Sequence, residues 1–145
     1  MGLDMYLTAR RFNWGEAEVE LNQVVREVYR LPEDFSVYDV RIEVGYWRKA
    51  NQIHLWFVNN IQKGQDDCGT YNVTQHDLQS LRNDCVTVLE DNSLAPKLLP
   101  TSAGFFFGTT EYEDYYYETL KETIEILDKA ISLSPHWEIE YRSSW

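Results

Sequence analysis

Residues 37–62 read VYDVRIEVGYWRKANQIHLWFVNNIQ, and the change of period inside this stretch sets the fold class. From Val37 to Val44 apolar and polar side chains alternate. Val40, Ile42 and Val44 fall on one face, and Asp39, Arg41 and Glu43 on the other, the pattern of a half-buried strand. Gly45 closes that run. From Tyr46 to Gln62 the period becomes helical: at ~100° per residue, Tyr46, Ala50, Ile53, Phe57 and Ile61 form one apolar stripe.

Working outward, Leu3–Phe12 has strand composition, and Gly15–Tyr29 carries Val19, Leu21, Val24, Val25 and Val28 at helical spacing before Pro32 breaks it. Lys63–Gly69 is a polar loop, with Gly64 suited to a helix C-cap. Tyr71–Val73 suits a very short strand. Thr74 with Asp77 predicts the start of a helix to about Glu90, buried along Leu78, Leu81, Cys85, Val88 and Leu89. Thr110 with Glu113 has capping-box spacing and predicts the longest helix, to about Leu133, closed by Pro135. In His136–Arg142, Trp137, Ile139 and Tyr141 share one face of a last strand. Strands and helices in this order predict an α+β fold: one domain over residues 1–145, with a small antiparallel or mixed sheet covered by about four helices.

The chain has 145 residues, 13 basic and 24 acidic, for a formal net charge of −11. Such a balance argues against duplex nucleic acid, whose binding needs net cationic neutralisation, and against anionic membrane surfaces. No apolar run approaches the ~20 residues that span a bilayer, and no basic leader precedes an apolar segment. Two cysteines, Cys68 and Cys85, read as reduced thiols of a cytoplasmic protein. The acid excess is uneven. Residues 1–62 hold seven basic and nine acidic side chains, and residues 63–145 hold six and 15. The second half is therefore a candidate for meeting a basic partner.

The 46–62 segment concentrates usable chemistry. Arg48 and Lys49 stand near its start, where the helix dipole favours anions, and Asn51 and His54 lie on its inner side. Two cations, an amide and an imidazole within two turns suit a phosphate or carboxylate, with Trp47 and Phe106 as apolar walls. The same residues also fit a bland role: a histidine at the rim of an apolar stripe is a hydrogen-bonded core residue, and Arg48 and Lys49 are solvated. Gly104–Gly108 encloses three phenylalanines and reads either as a buried strand or as an aromatic platform for a base. Asp67 and Cys68 follow closely, so His54 with either gives an acid/base or nucleophilic pair, and all three a metal set. No paired Cys-x-x-Cys or His-x-x-x-His spacing supports metal, and no phosphate-loop or dinucleotide fingerprint is present. The residues name no cofactor.

Several stretches resemble a family of small uncharacterised proteins encoded by bacteriophages and prophages. They are Gly2–Leu7, Tyr46–His54, Asp66–Cys68, Leu98–Thr101 and Gly104–Gly108. Arg10–Asp39 lies outside the resemblance. It implies phage or prophage origin and action in the host cytoplasm, and it implies no catalytic role. Three functions follow as expectations. The first is a protein binding a small anionic, nucleotide-like ligand through Trp47, Arg48, Lys49, Asn51, His54 and Phe106, used to counter host defence. The second is an enzyme on that ligand with His54 as general acid/base. The third is an acidic inhibitor on a basic surface of a host protein. A homo-oligomer is compatible with each.

Overall fold

The computed structural model describes residues 2–15 and 17–145. Its centre is strand β1 (Asp4–Phe12), paired on both sides. Met5, Leu7 and Ala9, with Leu3 just ahead, are fully buried, while Tyr6, Thr8 and Arg10 between them turn to the other face. Each such Leu or Met contributes roughly 1.5–3 kcal/mol by leaving water. Strand β2 (Asp39–Arg48) runs antiparallel along one edge of β1, and β4 (Glu138–Ser144) along the other. Strand β3 (Thr70–Val73) adds to β4, giving one antiparallel sheet in the order β2-β1-β4-β3.

The fold is α+β, as the alternation of patterns predicts. Helices are α1 (Ala17–Tyr29), α2 (Asn51–Asn60), α3 (Gln75–Glu90), α4 (Ala95–Leu98) and α5 (Asp114–Leu133), with a 3-10 turn at Asn92–Leu94. Buried side chains of α2, α3 and α5 join those of β1 and β4 in one core. Arg82 of α3 donates to Asp128 of α5 at 2.6 and 3.3 Å. Thr74 and Asp77 form a full capping box at the start of α3. The expected capping box of α5 is not formed: Glu113 is the N-cap, without a side-chain bond.

The main correction lies in residues 37–62. The strand does not end at Gly45; it continues to Arg48, and the helix starts only at Asn51. The register explains why. Leu7 pairs with Gly45 and Thr8 with Glu43, so Val44 is an extra residue, a β-bulge. Beyond it the strand's phase shifts by one residue. Gly45 and Trp47 then face the core opposite Leu7 and Met5, and Tyr46 and Arg48 face outward. Gly45 is required by close packing: a Cβ there would overlap Ile126 of α5. Among the described residues, no helix is long and apolar enough to cross a membrane.

Candidate functional site

The six residues singled out by sequence divide into two groups. Trp47, Asn51 and His54 are inside. Trp47 is buried, and its indole N–H donates to Thr123 Oγ1 at 2.9 Å. Asn51 is a clamp: Nδ2 donates to the carbonyls of Phe107 and Thr109 at 3.1 and 2.9 Å, and Oδ1 accepts from the Ser102 N–H at 2.9 Å. This amide is spent on holding the 102–109 loop against α2.

Arg48, Lys49 and Phe106 are outside, and they meet. Lys49 takes a left-handed backbone (φ +57°), and its N–H donates to the Leu3 carbonyl at 2.7 Å. The turn aims its side chain back over the first residues. A Cβ on Gly2 would lie 3.4 Å from Lys49 Cε and 3.8 Å from Arg48 Nη2, so both cationic side chains pass over Gly2. Gly108 lets the aromatic loop close here: a Cβ would stand 3.1 Å from Lys49 Cβ, on a backbone at φ +92°. The Phe106 carbonyl accepts from the Leu3 N–H at 3.4 Å, and the half-exposed Phe106 ring sits edge-on to the more exposed Phe105. Of the three phenylalanines only Phe107 is buried, and the segment is a turn instead of a strand. Among the described residues neither Arg48 nor Lys49 makes an ion pair.

His54 stands in a closed polar chain. The ring is 1% exposed, with Nδ1 2.7 Å from the Tyr141 hydroxyl and Nε2 3.0 Å from Asp66 Oδ2. Asp66 Oδ1 also accepts from the Trp145 indole N–H at 3.0 Å. With a neutral ring, one tautomer fits both contacts. An ionised carboxylate only accepts, so Nε2 carries a proton toward Asp66 and Nδ1 accepts from Tyr141. Burial, with Asp66 and Cys68 nearby, pushes the Tyr141 phenol well above its ordinary value, so it keeps the proton it donates. Phe107 meets the imidazole edge-on at 5.5 Å, and Tyr141 stacks on Phe57 at 3.8 Å. The network fastens the 61–69 loop to the sheet.

Asp66 is the partner that sequence reasoning missed; the expected neighbours were Asp67 and Cys68. Asp67 instead accepts from the Tyr71 hydroxyl at 2.7 Å and the Gly69 N–H at 2.9 Å. Those two bonds hold its carboxyl below the ordinary value. Cys68 is half-buried on a left-handed backbone, and Cys85 is a core residue whose thiol is pushed up by burial. Among the described residues, no group of three or more His, Cys, Asp or Glu is placed to hold a metal ion.

A third region lies on the chain between β1 and β2. Asn22, a buried residue of α1, accepts from the Val37 N–H at 2.7 Å and from Asn13 Nδ2 at 3.3 Å. Arg26 Nε donates to the Phe35 carbonyl at 2.6 Å, and the Asn13 N–H to the Tyr38 carbonyl at 3.0 Å. Polar contacts thus staple this arm from within, where Leu21, Val25 and Val37 are half-buried, while many of its other large apolar residues point out. Trp14, Val19, Val28, Tyr29, Phe35 and Tyr38 are each more than half exposed. A groove of about 690 Å³ runs along Val19, Gln23, Arg26, Arg30 and Leu31. The valines of α1 gave the signal for a helix; nothing in their spacing announced that Val19, Val24 and Val28 face water. Comparison with protein-family models, curated proteins and solved structures returned no match.

Proposed function

We propose that this chain is an acidic protein-binding module whose 14–38 arm docks on a basic, partly apolar surface of another protein. The observation that carries the reading is the inverted polarity of the arm, with hydrogen-bonded side chains inside and six large apolar residues outside. Large apolar side chains left exposed together in one segment of a folded protein mark it as a candidate contact region. Covering these side chains returns roughly 1.5–3 kcal/mol for each one fully buried. The arm also carries six acidic and two basic residues, so its rim complements a cationic partner. The sequence resemblance to phage and prophage proteins agrees with a bacterial host protein as that partner. His54, closed within its network, takes the part of a core residue in this reading.

The test is affinity capture from the producing cell with wild type and with Val28→Asp/Tyr29→Asp, followed by titration of the purified captured protein. The reading expects a partner lost with the arm variant and weakened by salt, yet kept by Arg48→Ala. Equal capture by the arm variant overturns it.

One observation favours a second reading, the binding of a small anion. Arg48 and Lys49 converge over Gly2 beside Phe106 in a strongly acidic molecule. It predicts that a nucleotide protects Lys49 from acylation and that Arg48→Ala abolishes the protection. Unprotected Lys49 across a panel of nucleotides rejects it.

A further inference from the structure

The sheet has two edges of unequal kind. Strand β3 is four residues long, whereas β2 is ten and contains no proline. Strand β2 pairs only with β1 among the described residues. Among the described residues, one hydrogen bond reaches its main chain from elsewhere, the Tyr115 hydroxyl onto the Arg48 carbonyl at 2.7 Å. The stretch from Asp39 to Val44 therefore presents an open row of N–H and C=O groups, which natural edges of this length blunt or pair. Arg41, Ile42 and Glu43 on it are all exposed, with Ile42 at 40%.

The residues on this edge are self-complementary. Val40-Arg41-Ile42-Glu43-Val44 reads apolar, positive, apolar, negative, apolar, and it reads as its own complement in reverse. A two-fold axis through Ile42 sets two copies antiparallel. Arg41 then stands across from the partner's Glu43 and Ile42 across from the partner's Ile42, with Val40 and the bulged Val44 at the ends of the paired run. Directly opposed charges of unlike sign and opposed β-branched residues are favourable cross-strand pairs. Neither charge is engaged well within its own chain. Among the described residues Arg41 reaches only Asp39, at 3.4 Å, and that carboxylate already accepts from Arg10 Nε at 2.7 Å. Glu43 makes no ion pair among the described residues. The bulge at Val44 ends the regular run, so the paired segment is short.

We propose that the chain forms a two-fold homodimer by antiparallel pairing of β2 with β2 of a second copy, centred on Ile42, which extends the sheet to eight strands. A closed two-fold contact of this kind uses the same patch on both copies and stops at two. The charge pattern selects a second copy over an arbitrary strand, because each chain supplies the complement of its own edge. The inference does not rest on the arm's reading, since arm variants leave this edge unchanged.

Sedimentation equilibrium from low to high micromolar concentration tests it, with circular dichroism confirming that each variant is folded. Wild type should show a monomer–dimer equilibrium. Arg41→Glu and Glu43→Arg each turn two attractive pairs into two repulsive ones, so each should weaken the dimer roughly tenfold or more. The double variant Arg41→Glu/Glu43→Arg restores complementarity and should regain wild-type association. Independently, Ile42→Cys in a Cys68→Ser background should give a disulfide-linked dimer on mild oxidation, because the two-fold axis brings position 42 of each chain within disulfide range. Gln79→Cys on the exposed face of α3, in the same background, should not. A monomeric wild type, single variants that dimerise as wild type does, or a double variant no better than the singles would each overturn the proposal. So would an Ile42→Cys variant that cross-links no faster than the Gln79→Cys variant.

Discussion

Replacing His54 by Ala separates a structural imidazole from a reactive one. The ring is 1% exposed and bridges Tyr141 at 2.7 Å and Asp66 at 3.0 Å. Its bond to a charged carboxylate is worth about 1.5–3 kcal/mol, and the Tyr141 hydroxyl left unpaired in the core costs about 1–3 kcal/mol more. Part of the ring's contact with Phe107 is also lost. The variant should lose about 2.5–6 kcal/mol in all, a large share of the 5–15 kcal/mol typical of a domain. Urea unfolding followed by tryptophan fluorescence reads this as a lower midpoint at an unchanged slope. Tyr141→Phe added to His54→Ala removes the stranded hydroxyl. The two changes together should therefore cost less than their separate effects, with a coupling of about 0.5–3 kcal/mol. A loss below about 1 kcal/mol for His54→Ala would refute the reasoning, because a ring removed so cheaply is not holding the loop.

Three further outcomes follow from other contacts. Gly45→Ala should destabilise by about 1–3 kcal/mol through overlap with Ile126, and Ile126→Ala should relieve part of that loss in the same urea assay. Asp67, with its folded pKa below the ordinary 3.8, stabilises the fold above that value and loses the contribution as pH falls through the lower folded value. Carboxyl titration by NMR should place its midpoint below 3.8, with Tyr71→Phe moving it upward; an unmoved midpoint contradicts the assignment. Cys68 should react with a thiol reagent in the native protein while Cys85 waits for unfolding, and equal rates would place Cys85 outside the core.

The elements whose signals are local were legible in the sequence. Thr74 and Asp77 are three residues apart and cap α3 as that spacing predicts. Ile139 and Tyr141 alternate within a last strand and are buried on one face, with Ser143 continuing it. The transition at residues 45–50 was not legible, because the bulge at Val44 shifts the strand's phase by one residue. Tyr46 thereby leaves the core face and falls by chance on helical spacing. The candidate site was partly legible for a related reason. Convergence of Arg48 and Lys49 came from their adjacency, but the mechanism is a left-handed turn after a strand instead of a helix start. The roles of Asn51 and His54 depend on Phe107, Thr109 and Tyr141, from 56 to 87 residues away, and no spacing rule reaches that far. For the arm, periodicity gives a helix and a stripe but not the sign of the stripe's exposure, which Asn22 and its tertiary partners decide.

The most direct test is calorimetric titration of the captured partner, purified, against three forms of the chain: wild type, Val28→Asp/Tyr29→Asp, and Arg48→Ala/Lys49→Ala. The account predicts that the arm variant loses about a hundredfold or more in affinity, as removal of central apolar anchors does, while the cation variant binds as wild type. Unchanged affinity in the arm variant, with loss confined to the Arg48/Lys49 variant, would move the functional surface to the Gly2 side and contradict the account.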